Sequence, residues 1–305
     1  MKPILVWLLL CCIWGSTWLF IKLGLEDLPP FTFAGIRFVI AVAILATIVG
    51  LRRLTLPKTS RDWLLLFVSG VLAFCVNYGL LFWGEQYISS GLAAVLQSTI
   101  PAFGLVIAHF YLPGEQMTPA KIIGIVLGVI GVAVIFSNQL DVAGSMAVAG
   151  CAALTVSSMG AAYSNVLVKA YGKHLDPAIL AGGQMFFGLI PLLLIGIPWE
   201  GNPLNFNWTP MAVVSLIYLA VVGSVVAFLL YYWLVQNMDV TKTMLIALVT
   251  PVVAVTLGML VLDEQLHGRT LLGGLMIISG IAIIVTKQAD KKVQSPKSKI
   301  QSPLI

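Results

Sequence analysis

Arg37 is the first residue in this chain that calls for chemistry. It stands about two turns into an apolar run over residues 31–51, where a guanidinium costs roughly 2.5–3.5 kcal/mol to insert. Such a cation either attracts the carboxylate or phosphate of a solute or closes an ion pair, with Glu26, Asp27 and Glu85 at similar depth. Neutral polar groups accompany it in other apolar runs: Trp14, Ser16, Thr17 and Trp18 in the first, Asn77 and Tyr78 in the third, Gln97 and Ser98 in the fourth. Tyr163, Ser164 and Asn165 follow in the sixth, Gln184 in the seventh, and Tyr231 and Tyr232 in the eighth. Buried amides either bond across helices or line a wet cavity. The clustering tilts this set toward a shared substrate cavity with aromatic walls.

Other chemistries find no residues. There is no HExxH zinc helix, no GxSxG elbow, no pair of intramembrane aspartates and no Walker motif. No enzyme activity, metal or cofactor is therefore expected, and no filter-like loop points to a channel. The acidic residues fall in loops and at the ends of apolar runs, so no midplane carboxylate stands out as a proton site. Coupling to a proton or to a counter-solute stays open. His109 could relay protons, but without a neighbouring carboxylate it reads as an interfacial packing residue. Pro101 and Pro251 each lack a backbone donor within an apolar run, which marks either a hinge or a static kink.

These side chains need elements to hold them, and composition names the class. Of 305 residues 59% are hydrophobic and 10% charged, with a mean hydropathy of +1.01, which leaves too little polar surface for a soluble globule. Ten windows are long and apolar enough for helices: about 4–24, 31–51, 63–84, 88–112, 119–137, 144–170, 176–197, 208–234, 239–262 and 268–286. Turn residues separate them, among them Pro29-Pro30, Pro57, Pro113-Gly114, Asp176-Pro177 and His267-Gly268. The expected fold is an all-α integral membrane protein with ten transmembrane helices. No small-x-small cleavage site follows the first window, which reads as an uncleaved helix. Cys11, Cys12, Cys75 and Cys151 all sit in apolar runs and read as packing residues. The segment 288–305, rich in Lys, Ser, Gln and Pro, reads as a disordered basic tail.

The halves repeat. Lys22 and Pro30 reappear as Lys169 and Pro177 at an offset of 147, while Trp83, Gln86 and Pro101 match Trp233, Gln236 and Pro251 at 150. Glu115-Gln116, Gly124 and Gly131 match Glu264-Gln265, Gly273 and Gly280 at 149. Residues 1–140 and 141–287 thus form two five-helix repeats, and an odd number of spans inverts the second, as in alternating-access carriers. With both termini cytoplasmic, 14 of the 17 basic residues face inward. Gly124, Gly128 and Gly131, with Gly273, Gly274 and Gly280, space like close helix contacts in a scaffold or a dimer. Monomer and homodimer both stay open, and the partners expected are a small-molecule substrate and the lipid bilayer, not nucleic acid.

The run Trp14-Gly15-Ser16-Thr17, then Pro29-Pro30 and Phe33-Ala34-Gly35-Ile36-Arg37-Phe38, resembles the opening of EamA-type members of the drug/metabolite transporter superfamily. Pro101 with Gly114-Glu115-Gln116, and Pro251 with Asp263-Glu264-Gln265 and Gly273-Gly274, resemble the end of that family's repeat unit. The resemblance implies ten helices, cytoplasmic termini, a central cavity, and export or exchange of small metabolites across a bacterial inner membrane. The second half departs from the first where Trp14-Gly15-Ser16 becomes Ala161-Ala162-Tyr163 and Arg37 becomes Gln184. The expected function is a secondary transporter of an amino acid or related amphipathic solute. A drug or toxic-compound efflux carrier is the alternative, and a membrane-embedded enzyme or a channel ranks below both.

Overall fold

The computed structural model describes residues 3–111, 118–142, 144–172, 174–237, 246–265 and 267–294. Pro113-Gly114, Glu115-Gln116, Lys242, the side chains of Tyr232 and Gln236, and the tail from residue 295 lie outside that description. Among the described residues the chain is helical, with no strand. The helices are α1 (Pro3–Gly24), α2 (Pro30–Leu51), α3 (Ser60–Glu85), α4 (Ser90–Tyr111) and α5 (Pro119–Val142). They continue as α6 (Gly144–Tyr171), α7 (Pro177–Glu200), α8 (Pro210–Ala220 through Ala227–Asn237), α9 (Ile246–Val261) and α10 (Gly268–Gln294). Seven of these, α1–α4 and α6–α8, are long and apolar enough to cross a membrane; the apolar parts of α5, α9 and α10 are shorter.

Local chemistry sets the starts. Pro30, Pro177 and Pro210 occupy the first helical turn, where a missing N–H is harmless. Thr59, Ser89, Asp176 and Thr209 accept backbone N–H groups as N-caps. Two starts, those of α2 and α4, are also capped from a distance. Glu200, the last residue of α7, accepts Phe31 N–H at 2.8 Å and Thr32 N–H at 2.7 Å. Glu264, just past α9, accepts Ser90 N–H at 2.7 Å and Gly91 N–H at 3.3 Å. Carboxylates here meet both the orphan donors and the positive end of the helix dipole.

Three internal irregularities interrupt the rods. Residues Val71–Val76 of α3 and Val221–Val226 of α8 wind as π-helix, and the two segments lie 150 residues apart. In α4 the helix stops at Gln97 and restarts at Ile100, with Pro101 in the first turn of the new segment. Ser98 and Thr99 hydroxyls fold back onto Val95 and Leu96 carbonyls, each at 2.6 Å. Pro101 therefore begins a helix rather than bending one. Pro251, its sequence counterpart, stays inside α9.

Helix pairing binds the two halves. α2 packs along α7, α5 along α10, α1 against α8 and α9, and α3 against α6. Lipid-like surroundings offer no hydrophobic drive between helices, so close backbone approach has to supply it. A Cβ on Gly131 would lie 2.6 Å from the Gly273 carbonyl oxygen, and one on Gly280 would lie 2.4 Å from that of Gly124. The glycines found in the sequence thus close α5 on α10 within one chain. Ile122, Ile123, Val129, Leu271, Leu272 and Leu275 point outward from the same two helices, forming an apolar exposed face suited to acyl chains.

Bonds also sort the ends. Lys22 reaches the carbonyls of Glu85 and Ile88, Asp27 accepts Asn207 and Thr209, Glu200 caps α2 and Glu264 caps α4. All of these sit at one, acid-rich end. Arg52, Arg53, Lys58, Arg61, Lys121 and Lys169 occupy loops and helix ends at the opposite, base-rich end, where His174 meets Asp62 at 2.9 Å.

Two substitutions test this packing. Gly273→Leu should lower the thermal midpoint of the purified protein by an amount consistent with ~1–3 kcal/mol of overpacking, whereas Gly128→Ala, with open space around its Cβ, should leave it unchanged. Glu200→Ala should cost about 1–2 kcal/mol through loss of a charged cap, read from the same melting curves.

Candidate functional site

Arg37 is 1% exposed and sits where α2 meets α3 and α8. Its Nε donates to Ser224 Oγ at 2.9 Å and one Nη donates to the Gly223 carbonyl at 3.5 Å. Both acceptors belong to the π-segment of α8. An i→i+5 turn leaves carbonyls poorly paired along the helix, which suits them to accept from a neighbour. Ser224 Oγ in turn donates to Leu219 O at 3.0 Å. The other guanidinium nitrogen, Nη1, has no hydrogen-bond partner.

Aromatic rings take the place of the carboxylate that the sequence suggested. The guanidinium carbon lies 4.9 Å from the Tyr78 ring centre, 5.3 Å from Phe38 and 5.9 Å from Phe82. Desolvated cation–π contacts of this kind contribute ~2 kcal/mol. Among the described residues no carboxylate pairs with Arg37: Asp27 binds Asn207 and Thr209, and the Glu85 carboxyl makes no hydrogen bond. Tyr78 itself stacks on Phe74 at 5.7 Å and meets Phe38 edge-on, so the cage is rigid. Thr17 approaches from α1, since a Cβ on Gly223 would sit 2.8 Å from its methyl group. Trp18 is buried nearby on the same helix, with its indole N–H unbonded.

The amides form a second group beside the first. Gln97 Nε2 donates to Asn77 Oδ1 at 3.0 Å and to Ser157 Oγ at 2.5 Å. Asn77 Nδ2 donates back to Ala73 O at 3.3 Å, across the π-segment of α3. Ser98 is spent on the break in α4. Gln97 and Asn77 thus tie α4 to α3 and α6, and of these helices α3 also reaches Arg37, through Tyr78 and Phe82.

Other expected members stand apart. Gln184 occupies on α7 the place that Arg37 occupies on α2, and bonds Ser69 Oγ at 2.9 Å and Ser164 Oγ at 3.4 Å. Gly70 rests directly on its backbone, so this is close scaffold packing. Tyr163 pairs hydroxyl to hydroxyl with Tyr111 at the far end of α4. Asn165 faces outward and is exposed. Trp14 packs on Phe228 at 6.0 Å and on Tyr231 at 5.3 Å, in a cluster between α1 and α8.

A cavity of about 630 Å³ opens between α1, α8 and α9. Leu9, Cys12, Ile13, Val222, Val253 and Leu257 form much of its wall, and of the expected residues only Ser16 reaches it. Ser16 Oγ meets Tyr218 Oη there at 2.6 Å, and Tyr218 stacks on Phe20 at 4.0 Å. Tyr218, Gly223, Ser224 and Phe82 were not marked in the sequence. Ser224 and Gly223 carry the one available signal, a small polar pair inside an otherwise aliphatic run.

Comparison with known proteins agrees with this architecture. The model of the EamA-like transporter family matches residues 1–137 and again 148–286. A Bacillus subtilis (strain 168) protein named uncharacterized transporter YoaV is 31% identical over 270 residues, covering 88% of this chain and 91% of that protein. An Escherichia coli (strain K12) protein named uncharacterized inner membrane transporter YedA is 30% identical over 249 residues, covering 81% of this chain and 78% of its own. A solved crystal structure superposes with a TM-score of 0.66 at 18% identity, over 96% of this chain and 99% of that one, which speaks to the fold alone. Family and relatives indicate a transporter rather than an enzyme, and with the seven apolar helices they make this a multi-pass protein of a bacterial inner membrane. On the double match and these identities, the chain belongs to the EamA-like transporter family.

Proposed function

We propose that this chain is a secondary transporter that exports or exchanges a small organic metabolite by alternating access between two inverted repeats, residues 1–140 and 141–287. In this reading α1–α10 are ten transmembrane helices. The base-rich end faces the cytoplasm together with both termini, and the acid-rich end faces outward. The favoured substrate is an amino acid or a related amphipathic solute with an anionic end.

One observation carries the reading: Arg37 is a buried cation at a contact between the repeats, and one of its nitrogens has no partner. A charged donor without an acceptor is costly in a static core. The cost is understandable if a solute carboxylate fills that position once α8 parts from α2 and α3. With Ser224 and Gly223 the same residue also latches the halves in the present conformation. Gate and binding site would then be one group at two stages of the cycle, as expected when ligand and latch compete for the same donors.

A second reading, an efflux carrier for apolar or toxic compounds, is favoured by the cavity beside α1, α8 and α9. Its wall is aliphatic apart from Ser16 and Tyr218, and apolar pockets of roughly 300–1,000 Å³ suit drug-sized molecules.

Counterflow in proteoliposomes discriminates these. Preloading with an unlabelled amino acid should accelerate uptake of its radiolabelled form for a carrier of that class, while a channel would show no acceleration. Arg37→Lys and Arg37→Gln should both weaken apparent affinity by about 10- to 100-fold, the equivalent of ~1.5–3 kcal/mol for a charged hydrogen bond. Unchanged kinetics in both variants would sink the anion-binding role.

A further inference from the structure

Glu85 is the last residue of α3, and its side chain is 0% exposed. Neither carboxyl oxygen has a hydrogen-bond partner. The groups that face it can be named element by element. From α1 comes the Lys22 ammonium, which is spent on backbone carbonyls: it donates to Glu85 O at 2.6 Å and to Ile88 O at 2.7 Å. From the segment after α9 comes the Glu264 carboxylate, held on the start of α4 by Ser90 and Gly91 N–H and by Ser90 Oγ at 3.0 Å. From α6, Gly150 and Leu154 pack against the neighbouring Gly84 and bring no charge, and from α2 the Phe33 ring meets Phe82 at 5.2 Å.

An ionised carboxylate cannot rest in such a place. Unbonded, out of water and beside a second carboxylate, it would cost several kcal/mol; a neutral carboxyl removes most of that cost. Meanwhile the nearest cation is turned away from the side chain and clasps the C-terminal carbonyls of the same helix, where a lysine complements the dipole. Rotation of the Lys22 ammonium from those carbonyls to the carboxylate would exchange one arrangement for the other. Lys22 on the carbonyls ties α1 to the α3–α4 connection.

We infer that Glu85 is a proton-binding site that gates the acid-rich end: protonated, it leaves Lys22 to clamp α1 onto α3, and on losing its proton it draws Lys22 away and loosens that end. The inference rests on the transporter reading above and supplies its coupling ion, a proton. Proton transfer here is between water admitted at the opening end and the Glu85 carboxyl, with no other bond made or broken. Arg37, one turn deeper beside Phe82, is the second latch on the same path.

The test needs no transported solute. In full-length protein in lipid nanodiscs, infrared titration should show a protonated-carboxyl C=O band at neutral pH that is lost in Glu85→Gln and kept, shifted, in Glu85→Asp. In a background with the four native cysteines changed to alanine, labelling of Ile88→Cys by a membrane-impermeant maleimide, normalised to denatured protein at each pH, should rise with pH. Adding Glu85→Gln should hold that labelling at its low-pH level throughout. A spectrum identical in wild type and Glu85→Gln, or a pH profile of labelling that survives Glu85→Gln, overturns the proposal. Either result would leave counterflow and the Arg37 variants to judge the transporter reading separately.

Discussion

Within hydrocarbon a backbone N–H or C=O has no water to bond, so every helix end and every irregular turn must be satisfied by the protein itself. That constraint accounts for where the polar residues of this chain have gone. Glu200 and Glu264 serve the starts of α2 and α4, Lys22 serves the end of α3, and Ser98 and Thr99 serve the break in α4. Because most of these partners come from distant segments, each satisfied end is also a tie between helices. Among the described residues the acid-rich end is consequently tied across helices by Lys22, Asp27, Glu200 and Glu264, and an opening at that end would have to undo those ties.

The π-segments of α3 and α8 follow the same logic in the interior. Each presents a hydroxyl or carbonyl near its turn to a polar residue on a crossing helix: Ser69 to Gln184, and Ser224 and Gly223 to Arg37. The two crossings occupy matching places in the halves, yet their chemistry differs. Gln184 is a neutral amide with its donors used and glycine backbone pressed against it. Arg37 is a cation with a donor to spare. A shared architecture has been kept as scaffold on one side and charged on the other.

Much of this was legible in the sequence, for physical reasons. Apolar run length and turn chemistry locate helices because both are local, and α2 and α7 begin at the Pro29-Pro30 and Asp176-Pro177 turns read in the sequence. Arg37, Asn77 and Gln97 stood out because a polar group in an apolar run is anomalous whatever its partners. The partners themselves were not legible. Ser224 lies 187 residues from Arg37, Ser157 lies 60 from Gln97, and no local pattern records which helix will cross which. The π-turns left no mark because they depend on hydrogen-bond register, and nothing local in the sequence tells that Asn165, toward the end of α6, faces outward.

The depth of the two unsatisfied groups orders them. Glu85 ends α3, and Phe82, one turn below it on the same helix, forms part of the cage over Arg37. A movement that frees Lys22 from α3 therefore acts on the helix that carries both the carboxyl and the roof of the guanidinium. Close-packed helices transmit strain, so in the proposed cycle the Lys22 clamp and the Arg37 latch would open together. If α3 tilts, Phe82 and Tyr78 leave the guanidinium as Ser224 and Gly223 do, and the cation loses its cage and its acceptors together. A desolvated cation stripped of both demands a new anion or water at once, and in the proposed transporter that demand would favour a solute with a carboxylate over one without.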